Sequence, residues 1–195
     1  FLTWNGAVTK LWGVNFRPWQ VFDVDGPPTW TDAKRDRSYE EIGRIKTSFG
    51  GNYVRVNIAP GEYVYWSDPA RNRFWTFLDG LLDRALTEGM FIELNWWTVS
   101  TPDGQRADDS FFSSEYAPGY NSSKALCRTF WAAAAARYKN RGHVAFSLWD
   151  EPIKAVPSDT WAQLQPWVQE LITLIRGTGA TNLISVPGNH YSMMF

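Results

Sequence analysis

Short apolar segments alternate with helical segments along most of the chain, and this alternation restricts the fold more than any other feature of the sequence. The apolar segments have strand length and are rich in β-branched and aromatic residues, whereas the segments between them carry apolar residues at helical spacing. The predicted strands are 11–16, 53–58, 91–96, 144–149 and 182–186, and the predicted helices are 39–49, 74–86, 124–139 and 161–176. This order is typical of βαβ units, which build a parallel sheet. We predict one α/β domain over residues 1–195, with a hairpin at about residues 1–10 where Asn5-Gly6 favours a tight turn.

The composition argues against several classes of function. Lys and Arg total 19 and Asp and Glu total 20, so the formal net charge is −1. This balance gives no electrostatic reason to expect nucleic acid or a membrane as the partner. No apolar run reaches the roughly 18 residues that a membrane span needs. A single cysteine, Cys127, and two histidines argue against a disulfide framework and a zinc site, and we predict neither a metal nor a cofactor.

Aromatic residues are more frequent than a small core needs, with 12 Trp, 12 Phe and 8 Tyr in the chain. Many lie in the long segments between a predicted strand and the next helix, which gather at the carboxyl ends of the strands, where function sits in parallel α/β folds. These rings are Trp19, Phe22, Trp30, Tyr63, Tyr65, Trp66, Trp97, Phe111, Phe112, Tyr116 and Tyr120. Two interpretations remain open. The rings stack on sugar faces as a binding platform, or they only pack long loops onto the fold.

Two adjacent acids follow the fourth predicted strand, in the sequence Leu148-Trp149-Asp150-Glu151-Pro152. Pro152 is expected to end the strand pairing and fix the turn. A carboxylate at this point, partly desolvated beside a tryptophan, favours its neutral form and is suited to give a proton to a leaving glycosidic oxygen. The alternative is that both acids are solvated loop residues or cap the next helix.

The motifs resemble glycoside hydrolase family 5, in a clan of retaining β-glycosidases built on a (β/α)₈ barrel. Gly13-Val14-Asn15 is similar to the family's first strand, Val54-Arg55-Val56 to its arginine-bearing strand, and Asp150-Glu151-Pro152 to its Asn-Glu-Pro. Residues 161–191 are especially similar to the fungal-type endo-β-1,4-glucanases. The resemblance implies a TIM (β/α)₈-barrel type of fold, with only about the first five βα units in this chain.

The resemblance also implies roles for individual residues. Glu151 would be the catalytic acid/base, and Arg55 would orient the nucleophile carboxylate. The remaining expected substrate-binding residues are Asn95, Trp97, Asp150, His190 and Tyr191. His143 precedes the fourth strand and is predicted to be structural, as is Cys127.

The sequence departs from the family's pattern in three places. Asp150 replaces an asparagine, and an ionised Asp can only accept hydrogen bonds; it is expected either to be neutral or to pair with Arg55. Asn95 stands where the third strand usually ends in a histidine, and an amide cannot relay protons. The family's nucleophile comes from a seventh strand, which is expected to lie beyond residue 195. Of the other acids, Glu93 is predicted to point to the inside of the barrel but to lie short of the carboxyl ends of the strands. Glu62 and Glu115 lie in loops whose positions the sequence does not predict.

The predicted function is therefore a retaining, endo-acting hydrolase of β-1,4-linked polysaccharide, with cellulose or β-glucan as the first choice and mannan as the next. The alternative is a non-catalytic carbohydrate-binding protein or degenerate half-barrel that lacks the nucleophile. The expected partner is a polysaccharide or oligosaccharide, and a second chain or a C-terminal continuation is expected to complete the barrel. Secretion is inferred from the substrate class alone.

Overall fold

The computed structural model describes residues 3–4, 6–18, 31–60, 63, 71–100, 124–152 and 161–188. Within these ranges, strands and helices alternate as the sequence predicts. The strands are β1 (Thr3–Trp4), β2 (Ala7–Val8), β3 (Gly13–Phe16), β4 (Tyr53–Ile58), β5 (Phe91–Trp96), β6 (Val99–Ser100), β7 (Val144–Ser147), β8 (Glu151–Pro152) and β9 (Ile184–Ser185). The helices are α1 (Asp32–Phe49), α2 (Arg71–Thr87), α3 (Lys124–Tyr138) and α4 (Trp161–Gly177).

The main sheet has the strand order β3-β4-β5-β7-β9, and every neighbouring pair in it is parallel. Sequential strands are therefore neighbours, each joined to the next through a helix, which confirms the α/β fold with βαβ units. Strands β1 and β2 form the predicted antiparallel hairpin, in which Gly6 has a φ of 80°. Of the strands described, β3 and β9 are the two edges of the main sheet.

Gly13 is required by the close approach of β3 and β4. A Cβ added to Gly13 would lie 1.6 Å from the carbonyl oxygen of Tyr53, which is a backbone atom and cannot yield as a flexible side chain could. The absence of a side chain at Gly13 thus permits the register that pairs Asn15 with Arg55. This register fixes which residues of the first two parallel strands lie side by side.

Several sequence predictions about element boundaries were wrong, three of them near the site or in α1. Helix α1 begins at Asp32 rather than at residue 39, because the Thr31 side chain accepts a hydrogen bond from the Lys34 amide at the N-cap and the first turns are polar. Strand β7 ends at Ser147 rather than at residue 149, but Pro152 does not end the pairing. Glu151 and Pro152 form β8, which pairs in parallel with β6.

The core lies between the sheet and the helices. Alternate residues of the strands, such as Val54, Val56 and Leu94, face the helices and are fully buried. Tyr63 is buried as well, and its ring makes edge contacts with rings of α2, β5 and α3. Of the two interpretations left open for the loop rings, the burial of Tyr63 supports the second for this residue: its ring packs against the core. No described helix is long and apolar enough to cross a membrane.

Candidate active site

The opposite face of the sheet is polar, and it holds most of the candidate site. Arg55 on β4 pairs in register with Glu93 on β5, and Asn57 pairs with Asn95. Asn95 in turn pairs with Ser147 on β7. Because alternate residues of a strand share a face, these registers place charged and amide side chains from three adjacent strands next to one another.

Arg55 lies at the centre of this group. Its Nη1 is 2.7 Å from Oδ1 of Asp150. Its Nη2 donates hydrogen bonds to Oδ1 of Asn95 at 3.0 Å and to Oγ of Ser147 at 3.1 Å. A planar guanidinium with several fixed donors suits this role because one side chain can hold groups from several strands.

Asn95 is fully buried and links the same residues from the other side. Its Nδ2 donates to Oδ1 of Asn57 at 2.9 Å and to Oδ1 of Asp150 at 3.2 Å. The side chain thus accepts from Arg55 while donating to Asp150. The structure brings together three of the predicted site residues, Arg55, Asn95 and Asp150, in one hydrogen-bonded network.

Asp150 is 8% exposed, and the sequence left open whether it is neutral or paired with Arg55. The geometry shows the pair. Burial nevertheless raises the pKa of Asp150 above its usual value. The positive charge of Arg55 and the hydrogen bonds from Asn95 and Arg55 oppose that rise. Its backbone N–H donates to the carbonyl of Trp96 at 3.1 Å, which anchors the chain just after β7.

Glu151 follows at the carboxyl end of the sheet. Its backbone N–H donates to the carbonyl of Thr98 at 3.1 Å, and the residue pairs with Val99 through β6 and β8. The side chain is partly buried. Burial raises its pKa above the usual value, the neighbouring charge of Asp150 raises it further, and Arg55 lowers it. Glu151 is therefore a carboxyl group whose environment favours retention of a proton.

Trp97 lies just beyond the end of β5, where its backbone N–H donates to the carbonyl of Ile58 at 2.9 Å. The guanidinium carbon of Arg17 lies 4.6 Å from the centre of a Trp97 ring, within the range of a cation–π contact. Arg17 comes directly after β3, so the contact spans the carboxyl ends of β3 and β5. Sequence reasoning missed Arg17, although its position just after the first predicted strand was a usable signal.

The other predicted residues divide into two groups. His143 and Cys127 are buried: Nε2 of His143 lies 3.2 Å from the carbonyl oxygen of Leu82, and burial lowers the pKa of His143. His190 and Tyr191 lie outside the described residues, as do Glu62, Glu115 and the predicted loop rings other than Tyr63 and Trp97. In the part of the chain that is described, no group of three or more His, Cys, Asp or Glu residues could hold a metal ion.

Glu93 lies on the polar face, as the strand alternation predicts. Its Oε2 accepts a hydrogen bond from the hydroxyl of Tyr53 and is 3.7 Å from Nε of Arg55. The predicted site did not include Tyr53. Its place two residues before Arg55 on the same strand was the available signal, since residues i and i+2 share a face.

Comparison with known proteins decides the family. The family model described as Cellulase (glycosyl hydrolase family 5) matches residues 10–193. The chain belongs to glycosyl hydrolase family 5. No curated protein sequence matches this family member.

Solved structures show the same fold as this family 5 chain. A β-glucanase of Saccharophagus degradans in complex with cellotetraose has a TM-score of 0.74 and 20% identity, with 96% of this chain and 51% of that chain covered. A triple mutant of the endo-β-1,4-glucanase of Xanthomonas axonopodis pv. citri has a TM-score of 0.66 and 20% identity, with coverage of 94% and 54%. The catalytic domain of Thermobifida fusca endoglucanase Cel5A in complex with cellotetraose has a TM-score of 0.62 and 20% identity, with coverage of 96% and 50%. The family 5 chain thus spans about half the length of these structures and matches the βα units of a partial TIM barrel.

Proposed function

We propose that the protein containing this chain is a retaining, endo-acting glycoside hydrolase of β-1,4-linked polysaccharide, with cellulose and other β-glucans preferred to mannan. The observation that carries the proposal is the placement of Glu151. This carboxyl group stands at the carboxyl end of a parallel sheet in a family 5 chain, partly buried and next to the Arg55–Asp150 pair. Active sites of such barrels form at that end of the sheet.

Glu151 acts as the acid and then as the base. Cleavage of an unactivated glycoside needs a proton on the leaving oxygen, and a carboxyl group whose pKa is raised by burial holds that proton nearer to neutral pH. After the leaving group departs, the resulting carboxylate removes a proton from the water that hydrolyses the glycosyl-enzyme. Both steps use the same oxygen atoms in opposite protonation states.

The residues around Glu151 bind and orient the reacting groups. Arg55, Asp150 and Asn95 form the polar floor of the site, and Trp97 offers an aromatic surface beside it. His190 and Tyr191 are proposed to contact the substrate because they follow the fifth strand, as the family resemblance implies. No cofactor is needed for this chemistry.

A retaining reaction also needs a nucleophile carboxylate about 5–5.5 Å from the acid/base. We assign this role to a glutamate of the seventh barrel strand, which the family resemblance puts beyond residue 195. Glu93 is a poor alternative because its carboxylate is already engaged by Tyr53 and lies beside Arg55. A continuation of the polypeptide, or a second chain, supplies the rest of the barrel.

The proposed substrate class rests on the family and on the structurally similar proteins, among which are a β-glucanase and an endoglucanase, each in complex with cellotetraose. A polymer of this kind is met outside the cell. Secretion is therefore part of the proposal.

The test uses the complete natural polypeptide that carries this sequence. Cellotetraose and mannotetraose are incubated with it, the products are followed by reducing-sugar assay, and the anomer first released is read by NMR. We expect faster cleavage of cellotetraose and release of the β-anomer. Release of the α-anomer would exclude the retaining mechanism. Calorimetry on the same samples separates the alternative, because binding without product would show a carbohydrate-binding protein instead.

A further inference from the structure

Glu93 is a charged residue in the middle of a strand, on the inner face of the sheet. Its side chain is only 13% exposed, and burial of a carboxylate is costly unless partners offset the loss of hydration. Two side chains, those of Tyr53 and Arg55, lie close to the same carboxylate oxygen of Glu93. The Tyr53 hydroxyl donates a hydrogen bond to Oε2, and Nε of Arg55 lies 3.7 Å from it.

The other end of the Arg55 guanidinium faces the site. Nη1 contacts Asp150 at 2.7 Å, and Nη2 donates to Asn95 and Ser147. The guanidinium therefore lies between two carboxylates, one at its Nε edge and one at its Nη1 end. Because the group is planar and rigid, holding the Nε edge sets the direction of both Nη atoms.

We propose that Glu93, held by Tyr53, is a positioning residue that fixes the Arg55 guanidinium against Asp150, beside the acid/base Glu151. This inference deepens the proposed function and rests on it where catalysis is concerned. Glu93 lies two residues before Asn95 on β5, about 7 Å further from the carboxyl end of the strand. It acts through Arg55 rather than by contact with the sugar.

The kinetic test compares Glu93→Gln and Tyr53→Phe in the complete polypeptide, with cellotetraose as the substrate. Glu93→Gln keeps the shape and removes the charge, and we expect kcat to fall about tenfold while KM changes less than twofold, since small displacements of catalytic groups slow chemistry more than binding. Tyr53→Phe is expected to lower kcat less. The double variant should match Glu93→Gln alone, because the hydroxyl acts through Glu93. Full additivity of the two losses, or an unchanged kcat in Glu93→Gln, would overturn the proposal.

A matched control is Glu88→Gln. Glu88 also pairs with an arginine, at 2.6 Å from Arg84, but it lies in the connection between α2 and β5 rather than on the polar face of the sheet. Its loss should leave kcat unchanged. Thermal unfolding of each variant separates positioning from structure: a kcat loss that follows the drop in melting temperature across all variants would contradict the positioning role.

A second measurement does not need activity. The Nε–H of Arg55, labelled with ¹⁵N and assigned by its loss in Arg55→Lys, should give a sharp signal in slow exchange with water in the wild type. We expect Glu93→Gln to broaden or remove it. A signal unchanged in Glu93→Gln would overturn the inference even in an inactive protein. Absence of hydrolysis with the expected NMR change would instead reject the proposed function and retain the positioning role.

Discussion

At the residue scale, Asp150 is the position where this chain departs most informatively from the pattern its family motif resembles. An asparagine there would donate a hydrogen bond, whereas Asp150 accepts one from Asn95 and pairs with Arg55. Asp150 also directly precedes the residue that we propose as the acid/base. Its charge is one of the causes that raise the pKa of Glu151.

The variant Asp150→Asn should therefore shift the pH dependence of hydrolysis. It removes a negative charge that raises the pKa of Glu151, and it leaves Arg55, which lowers that pKa, with Glu93 as the one remaining carboxylate of its two. Both changes act in the same direction. Because the acid must be protonated, activity should be lost at a lower pH than in the wild type. The measurement is the profile of kcat/KM against pH, and a basic limb that stays in place or moves to higher pH would contradict the assigned electrostatics.

Part of the site was predictable from the sequence at this scale. Alternation along the strand put Glu93 on the inner face, the family resemblance put Arg55 and Asn95 in the site, and the structure places all three on that face. The pairing of Tyr53 with Glu93 was not predictable. It depends on the register between two strands that are 40 residues apart in sequence, which no local pattern specifies.

At the element scale, one amide holds the turn that leads into β7. Nδ2 of Asn182 lies within hydrogen-bonding distance of three carbonyl oxygens, those of Tyr138, Arg141 and Val144. These groups belong to the end of α3, the turn and the start of β7. The side chain thereby links the segment before β9 to the connection that positions β7, which Asp150 and Glu151 follow in the chain.

Replacing this amide should destabilise the protein. Asn182→Ala removes the side-chain donor from all three carbonyls, although those of Tyr138 and Arg141 keep a backbone N–H donor. We expect the free energy of unfolding to fall by about 1 kcal/mol. Asn182→Asp should cost more, because it turns a buried donor into an acceptor facing the same carbonyls. Urea unfolding at neutral pH measures both variants. Equal stability of Asn182→Asp and the wild type would show that the three hydrogen bonds contribute nothing to the free energy of unfolding.

His143 connects the start of β7 to the end of α2 through the carbonyl of Leu82. Burial lowers its pKa below the usual 6.5, so the folded state favours the neutral ring. A group with a lowered pKa of this kind stabilises the fold above its unfolded pKa, and that stability is lost as the pH falls. We expect the free energy of unfolding to drop more between about pH 7.5 and pH 5 in the wild type than in His143→Gln. Urea titrations at the two pH values give the comparison, and identical pH dependence in both proteins would remove His143 as a cause.

The elements themselves were largely predictable, and their ends were not. Apolar periodicity located three of the four described helices, and the alanine run located α3. Periodicity missed the first turns of α1 because polar residues there are set by the Thr31 cap rather than by burial. Strands β6 and β8 have two residues each, and the paired residues are 52 positions apart in the sequence. A strand this short carries no periodicity, so the sequence suggested a stop at Pro152 where the structure continues to pair.

At the scale of the whole molecule, five of the described strands form a parallel sheet whose polar face holds the candidate site. The structural match to the β-glucanase of Saccharophagus degradans covers 96% of this chain and about half of that protein. The residues from β3 to β9 therefore correspond to part of a barrel. The alternation of strands and helices was sufficient to predict this architecture. The same alternation could not identify the nucleophile, because the family resemblance puts that residue beyond residue 195.

The central claim is that Glu151 donates the proton to the leaving group. Glu151→Gln is compared with the wild type on two substrates, cellotetraose and 2,4-dinitrophenyl cellobioside, whose phenol leaves without protonation. We predict that cleavage of cellotetraose falls by about 10²- to 10⁴-fold with its binding retained, the range expected for loss of an acid–base group. The aryl substrate should still give a burst of phenol, followed by slow turnover because the base for the second step is also missing. Glu170→Gln, which changes an exposed carboxylate of α4 that pairs with Arg128 of α3, serves as the control. Cleavage of cellotetraose by Glu151→Gln at the wild-type rate would contradict the account.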